Sequence, residues 1–529
     1  MHIIARAFYI FLITAMLVGC GGGAKWKSEP APTVTSMPAA LQYGGFSAGM
    51  YGTSGAHKIA VLLPTSGKNA PVGESIRNGI EIAAMQFAPN ELELDFYDTA
   101  NGIMAINSAL ASNPEIIIGP LFAENAKILR DTKSSDIPAL SFTSDISAVG
   151  NGVFSISVLP ANTVEAIIKQ MHTHGTIGFI VFAPNNTSGQ TMAGAARAIS
   201  EIYNINNVGI FYYNENDTDS IKSAAMAATM YTARNAANTR AKEILAAILN
   251  HEEITQDERY SISNQLENIN RTDTLGTLPY DSVLFLGSSD DTKSIASFLR
   301  YYGLGVRDAA FYGTPMWQDT NIKSDITMTG AEFVTTPNIS DEFNTIYENA
   351  TGKSAQRMAA IGYDAAILAF GALYSSNDMA AYLMSPAGYI GTNGMFRLRS
   401  NGANERALDT VRINGDGTTS IIKNAETNFI TPIYATNMSY IQPANEIPLL
   451  GSGINPMNYI NIPERFHSKY HAKTYGANES LTNQTTNEFP SVTVTTDTEN
   501  PVSITSPDYK PVPLEVVGRT YIDSIEVSE

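Results

Sequence analysis

One thiol, a close pair of histidines and a few hydroxyl-to-lysine spacings are the groups through which this 529-residue chain could do chemistry. Ser420 and Lys423 have the Ser-x-x-Lys spacing of a serine nucleophile beside an amine, yet they sit in a strand-like run without a Lys-Thr-Gly partner, so the match reads as coincidence. Gly352-Lys353-Ser354 imitates the end of a phosphate-binding loop. Tyr347 stands where that loop opens on glycine, and a helix precedes it where a strand is needed, so it reads as a helix-end turn. His172 and His174 have only five further histidines, of seven in all, to complete a metal site, and cations suit the end of a helix. Asp290 and Asp291 lack an acid-base setting and suit a helix N-terminus. The sequence therefore predicts no catalytic residue, no metal and no cofactor, and a protein that is not an enzyme.

The thiol is Cys20, and a lone cysteine makes no internal disulfide, zinc cluster or CxxC redox pair. Its position is informative. Residues 1–19 carry Arg6 and an apolar run from Ala7 to Val18, the form of a signal peptide and too short for a confident membrane span, which takes ~20 apolar residues. Leu17-Val18-Gly19-Cys20 resembles the bacterial lipobox, which implies cleavage before Cys20 and acylation of the new N-terminus. Two or more acyl chains suffice for stable anchoring. Residues 20–56, rich in Gly, Ser, Ala and Pro, read as a lipidated flexible tether. Gly21 is not the acidic residue that retains lipoproteins at the inner membrane, which favours a lipid-anchored, outer-membrane protein of the cell envelope facing the periplasm. With 33 Lys plus Arg against 51 Asp plus Glu, a net charge of −18, phosphate backbones are repelled and nucleic acid is not expected as a partner.

The remaining chemistry belongs to binding, and the elements must position it. From His57, continuous apolar runs such as Ile59 to Leu63 and Ile116 to Ile118 alternate with segments of helical spacing such as Val72 to Phe87, the pattern of parallel strands wrapped by helices on both faces. The rhythm restarts at Gly178, predicting an α/β fold of two doubly wound lobes with a hinge and an interlobe cleft. Residues 57–150 form lobe 1, 160–335 form most of lobe 2, and 336–423 return and build the hinge. Residues 214–275 interrupt lobe 2 as a helical insertion, with helices expected over Asp219 to Leu249 and Thr255 to Asn268, adding little to the common core but offering contact area. Residues 424–529 lose periodicity and read as an extended or disordered tail.

In doubly wound sheets ligands meet the loops at the carboxyl ends of the strands. Those loops supply Thr65, Ser66, Gly119, Ser141, Thr143, Asp145, Ser188, Ser288 and Asp290 as ligand-cleft candidates. For a small polar ligand such as an amino acid, Ser141, Thr143 and the Gly119 turn would take the carboxylate, and Asp145 or Asp290 the ammonium. The same residue types also cap helices and close turns, and the sequence leaves both roles open.

The blocks KIAVLLPTSGKNAPVGESIRNGIEIA, IIIGPLFAENAKIL, YDSVLFLGSSDDTKSIASFLRYYG, IGYDAAILA and GTNGMFRLRSNGANERALDTVRI follow in an order that resembles lipoproteins of the type 1 periplasmic-binding fold. The resemblance is to the penicillin-binding-protein activators, which share their fold with leucine/isoleucine/valine-binding proteins. It implies a regulator of peptidoglycan synthesis whose partner is a peptidoglycan synthase. The alternative it leaves open is a solute-binding lipoprotein that serves an ABC permease. The N-terminal helical-repeat domain of the activators has no counterpart in the short stretch between Cys20 and the first strand.

Overall fold

The computed structural model describes residues 57–475 apart from 88–91, 135, 319, 376–377, 430–440, 450–452 and 471–473. Cys20, the signal peptide, the tether and residues 476–529 lie outside the described residues. The buried run Ile59 to Leu63 makes the continuous apolar β1 (His57–Leu63), flanked by β2 (Leu92–Asp98) and β3 (Ile116–Ile118); β4 (Ala139–Ser141) and β5 (Val153–Ser155) complete a parallel sheet in the order β2-β1-β3-β4-β5. Helices α1 (Ala70–Phe87), α2 (Ile103–Ala111) and α3 (Ala123–Thr132) are the crossovers, since parallel neighbours cannot be joined by a tight turn. This is lobe 1.

Lobe 2 repeats the scheme. After α4 (Pro160–Thr173) come β6 (Gly178–Pro184), α5 (Thr187–Ile202) and β7 (Asn206–Tyr213); then, beyond the insertion, β8 (Ser282–Phe285), β9 (Ala310–Gly313) and β10 (Glu332–Thr335). Two late strands, β14 (Asp409–Ile413) and β15 (Thr419–Lys423), add antiparallel to the β10 edge and give the order β15-β14-β10-β9-β8-β6-β7. The intervening α10 (Asp341–Thr351) and α11 (Arg357–Tyr374) return to lobe 1, where Phe343, Tyr363 and Phe370 join its core. Helices α1 and α11 cross closely because two glycines let them: a Cβ on Gly79 would lie 2.0 Å from the Ala359 carbonyl, and one on Gly362 2.4 Å from that of Ile76. A small antiparallel sheet of β11 (Tyr389–Gly391), β12 (Gly394–Leu398) and β13 (Asn404–Arg406) packs on the same lobe. The type 1 periplasmic-binding architecture is thus present.

Four expectations need correction. Val153–Ser155 is the fifth strand of the first sheet, so lobe 1 extends past 150. Asn186 caps α5, which places Ser188 in the first helical turn instead of the preceding loop. The single helix expected over Asp219 to Leu249 is two, α6 (Thr218–Ala228) and α7 (Tyr231–Leu249), broken where Met230 takes left-handed backbone at φ 48°. Ile221, Ala224, Ala233 and Ala237 then enter the core of lobe 2, so this part of the insertion is structural rather than added on.

The fourth concerns the tail. Residues 441–449 and 453–470 are not extended away from the fold. Ile447 pairs antiparallel with Ile210 at the β7 edge, and the segment carrying Ile460, Ile462 and Phe466 packs on α7 and α8 (Gln256–Asn270) in a separate core. It escaped prediction because Pro and Asn interrupt its periodicity, while three apolar side chains suffice to dock it.

Candidate functional site at the strand ends and hinge

The strand-end residues divide between the lobes. In lobe 1, Gly119 follows β3 with φ +102°, a conformation that glycine allows, and its amide donates to Leu140 O (2.8 Å). Ser141 ends β4 fully buried: its hydroxyl donates to Pro120 O (2.8 Å) and accepts from the Thr143 amide (3.2 Å). Thr143 in turn accepts from the Asp145 amide through its hydroxyl (3.1 Å), and its carbonyl accepts from the Ser155 hydroxyl (2.7 Å). Asp145 caps the following turn, accepting from the Ser147 amide and hydroxyl (2.8 and 2.7 Å) and from Lys127 (3.1 Å). Burial pushes its carboxyl up, and the Ser147 and Lys127 hydrogen bonds outweigh that and hold it below the usual carboxylate range. Thr65 and Ser66, after β1, are exposed, and the Thr65 amide donates to Asp98 (3.0 Å).

In lobe 2, Ser288 caps α9 (Ser289–Tyr301): its hydroxyl accepts from the Asp291 amide (3.2 Å) and donates to the Asp291 carboxylate (2.9 Å). Asp291 also accepts from the Asn216 amide (3.1 Å). Asp290 turns outward to Lys293 (2.8 Å), and Ser188 is exposed. The structure therefore joins Gly119, Ser141, Thr143 and Asp145 into one braced turn region and ties Ser288 to Asp291. The hydrogen bonds of each set stay within their own lobe. Trp317 fills the core of lobe 2 and is fully buried.

A buried polar cluster lies where the chain passes between lobes, which it does after β5, after β10 and after β13. In β13 side chains alternate: Asn404 and Arg406 face the crossings, while Glu405 pairs with its cross-strand neighbour Arg397 and with Arg399 (3.6 Å). Arg406 donates to Ile156 O from Nε and Nη2 (3.3 and 3.0 Å) and to Asn393 from Nη1 (2.9 Å). The Asn404 amide group donates to Ser155 O and Ser157 O (2.9 and 2.5 Å), and Asn162 of α4 donates to Asn404 O (2.6 Å), a direct tie between lobes. Asp364, in the apolar helix α11, accepts from the Thr392 amide and hydroxyl (2.8 and 3.1 Å). Asp364 and Arg406 are 7% and 3% exposed. Burial pushes the Asp364 carboxyl up to about 6, against the Arg406 charge and the Thr392 hydrogen bonds.

Sequence reasoning missed this cluster, although its residues lie within the blocks that carry the family resemblance. The available signal was one aspartate in an otherwise apolar helix, IGYDAAILAFGA, because a charge on a buried face requires partners. Chemically the cluster can hold the lobes in register. Among the described residues no group of three or more His, Cys, Asp and Glu side chains is placed to hold a metal, and no helix is long and apolar enough to cross a membrane.

Comparison with known proteins adds three observations. A family model described as "LppC putative lipoprotein" matches residues 25–373. Proteins named "Penicillin-binding protein activator LpoA" align at 26% identity over 169 residues in Mannheimia succiniciproducens and over 166 in Vibrio vulnificus, 30% of this chain in each case. These alignments span 29% and 28% of the relatives' own length. A solved structure from Rhodospirillum rubrum, titled as a "putative branched-chain amino acid ABC transporter", superposes at TM-score 0.53 and 15% identity over 69% of this chain and all of that one, a likeness of fold.

Proposed function

The chain belongs to the LppC lipoprotein family, and from that premise we propose that it is an envelope lipoprotein, anchored through Cys20 to the outer membrane, that activates a peptidoglycan synthase of the penicillin-binding class. The observation that carries this reading is the alignment with relatives named as penicillin-binding protein activators. The strand ends support it over amino-acid transport. Ser141 and Thr143, which would take a carboxylate, are buried and brace their own turn, and Asp290, a candidate for the ammonium, faces Lys293. The protein acts as a binding partner and not as a catalyst in this reading.

The contact surface we assign is the outward face of α8, where Tyr260 is 72% exposed, while Ile262 and Ile269 hold the helix from beneath. Deleting the whole insertion is not a fair test, because α6 and the start of α7 belong to the lobe 2 core. The full mature protein should copurify with purified synthase and accelerate glycan polymerisation, and Tyr260→Asp should weaken both without shifting the melting temperature. Cys20→Ser should release it from outer membranes. No binding and no rate change would refute the activator reading, and a saturable thermal shift with Leu, Ile or Val that Thr143→Ala abolishes would install the transport alternative.

A further inference from the structure

The insertion cannot bury its own apolar surface. Helices α7 and α8 offer Ile244, Ile248, Ile262 and Ile269 to a common groove, and what fills it is the later segment 453–470 of the same chain. That segment passes through a 3-10 turn (Pro456–Asn458), buries Ile460 and Ile462, two residues apart, and then places Phe466 from a single helical turn (Glu464–His467) against the His251 ring, with centroids 5.0 Å apart. Its polar contacts run along the rim. Gln265 and the Asn461 backbone exchange two hydrogen bonds, Gln265 donating to Asn461 O (2.9 Å) and accepting from its amide (2.7 Å). Arg465 forks onto both oxygens of Glu258 (2.8 and 2.5 Å) and reaches Glu253 O (3.1 Å).

We propose that this groove is a peptide-docking site whose occupant is residues 453–470, a strap that detaches and re-docks while both lobes stay folded. Three features separate the strap from the fold's permanent core. Ile454, at its start, belongs to a core of lobe 2 and tethers it there, while the apolar contacts of Ile460, Ile462 and Phe466 form their own cluster, distinct from both cores of lobe 2. Its orienting contacts are solvent-accessible, with Arg465 and Glu258 side chains 41% and 26% exposed. Its recognition pattern is local and modular: Ile-x-Ile followed by Arg-Phe, a form in which alternate side chains fill pockets and a bidentate arginine sets the register. The Arg465 fork holds the Glu258 carboxyl down at about 2, so the clamp stays charged throughout the neutral and mildly acidic range. The inference stands whether or not a synthase is the partner, since it concerns only this chain's own segment.

The test uses the full mature protein. Amide exchange in 453–470 and 256–270 should be faster than in the β8 strand, and raising salt from low to 0.5 M ionic strength should quicken the two segments together and leave β8 unchanged. Arg465→Glu should raise exchange in both segments at least tenfold, and Arg465→Lys, which keeps the charge without the fork, should raise it less. A labelled synthetic peptide of residues 453–470 should bind the Arg465→Glu protein saturably and the unaltered protein at least tenfold more weakly. Exchange that rises across all of lobe 2 in Arg465→Glu, equal exchange in the Arg465→Glu and Arg465→Lys proteins, or a peptide that binds neither protein would each overturn the proposal.

Discussion

Two arginine–carboxylate arrangements in this molecule, one coupled through charge within a buried cluster and one in direct contact at the surface, differ in every physical respect that matters. At the hinge, Arg406 and Asp364 are almost fully buried, Arg406 held by the Ile156 carbonyl and the Asn393 side chain and Asp364 by the Thr392 amide and hydroxyl; at the insertion, Arg465 and Glu258 meet at the surface in bidentate geometry. Removing charges from water is expensive, so the buried set persists only because every partner is present at once, and losing one leaves a charge with no substitute. The exposed pair loses little when it opens, because water replaces each partner. Their pKa directions state the same contrast. Burial raises Asp364 to about 6, whereas the Arg465 fork lowers Glu258 to about 2. The hinge is thus built to keep one geometry, and the clamp to choose between two.

The largest expected effect is at Arg406. Arg406→Met fills similar volume but leaves the Asp364 carboxylate buried without its cation and Ile156 O without its donors, and should cost ~3–5 kcal/mol of unfolding free energy at pH 7.5 by urea titration. At pH 5 the loss should be smaller, because Asp364 can take up a proton, and adding Asp364→Asn should recover part of it. Equal losses at both pH values would remove the hinge from the comparison.

The next effect is the pH dependence of Asp364 itself. Its folded pKa of about 6 lies above the ordinary 3.8, so the native state holds the proton more tightly than the unfolded chain. The stability this contributes is complete below the unfolded pKa and is lost as pH rises through about 6, with a total of up to ~3 kcal/mol for a shift of about two units. Asp364→Asn has no proton to lose. The stability difference between the two proteins should therefore change in favour of the variant between pH 4 and 7, and a constant difference over that range would contradict the assignment.

How far the sequence reached follows the same divide between pattern and pairing. Strands such as Ile59 to Leu63 were legible as continuous apolar runs, because a strand buried on both faces has no polar alternation, and helices such as Val72 to Phe87 by their period of 3.6. The break at Met230 was not, since methionine carries no preference for left-handed backbone, and the turn is imposed by packing of α6 and α7 around lobe 2. The strand-end residues were found, but Ser141 and Ser288 carry the same hydroxyl whether they cap or bind, and only their hydrogen-bond partners separate the roles. The hinge depends on residues up to 250 positions apart, as in Arg406 to Ile156, and the docked segment on contacts 207 apart, as in Arg465 to Glu258, distances over which no local pattern speaks.

The smallest effect is the sharpest probe of the clamp. Thr255 caps α8: its hydroxyl accepts from the Glu258 amide (3.2 Å), while the Glu258 carboxylate accepts from the Thr255 amide (2.9 Å), a reciprocal capping box. Glu258 therefore serves two masters, the start of its own helix and the Arg465 fork, and the box fixes the carboxylate where the arginine finds it. Thr255→Ala removes one cap hydrogen bond at an exposed site and should weaken the first turn by about 1 kcal/mol. That is about a fivefold rise in local opening, by the usual relation between free energy and population. Because Glu258 is then less firmly aimed, exchange in 453–470 should quicken along with that of residues 256–260, with β8 and the hinge strands unaffected. If the helix start loosens and segment 453–470 does not, the clamp is held by Ile460, Ile462 and Phe466 alone, and the contrast between a charge-set hinge and a charge-set clamp reduces to one of buried polar against buried apolar contacts.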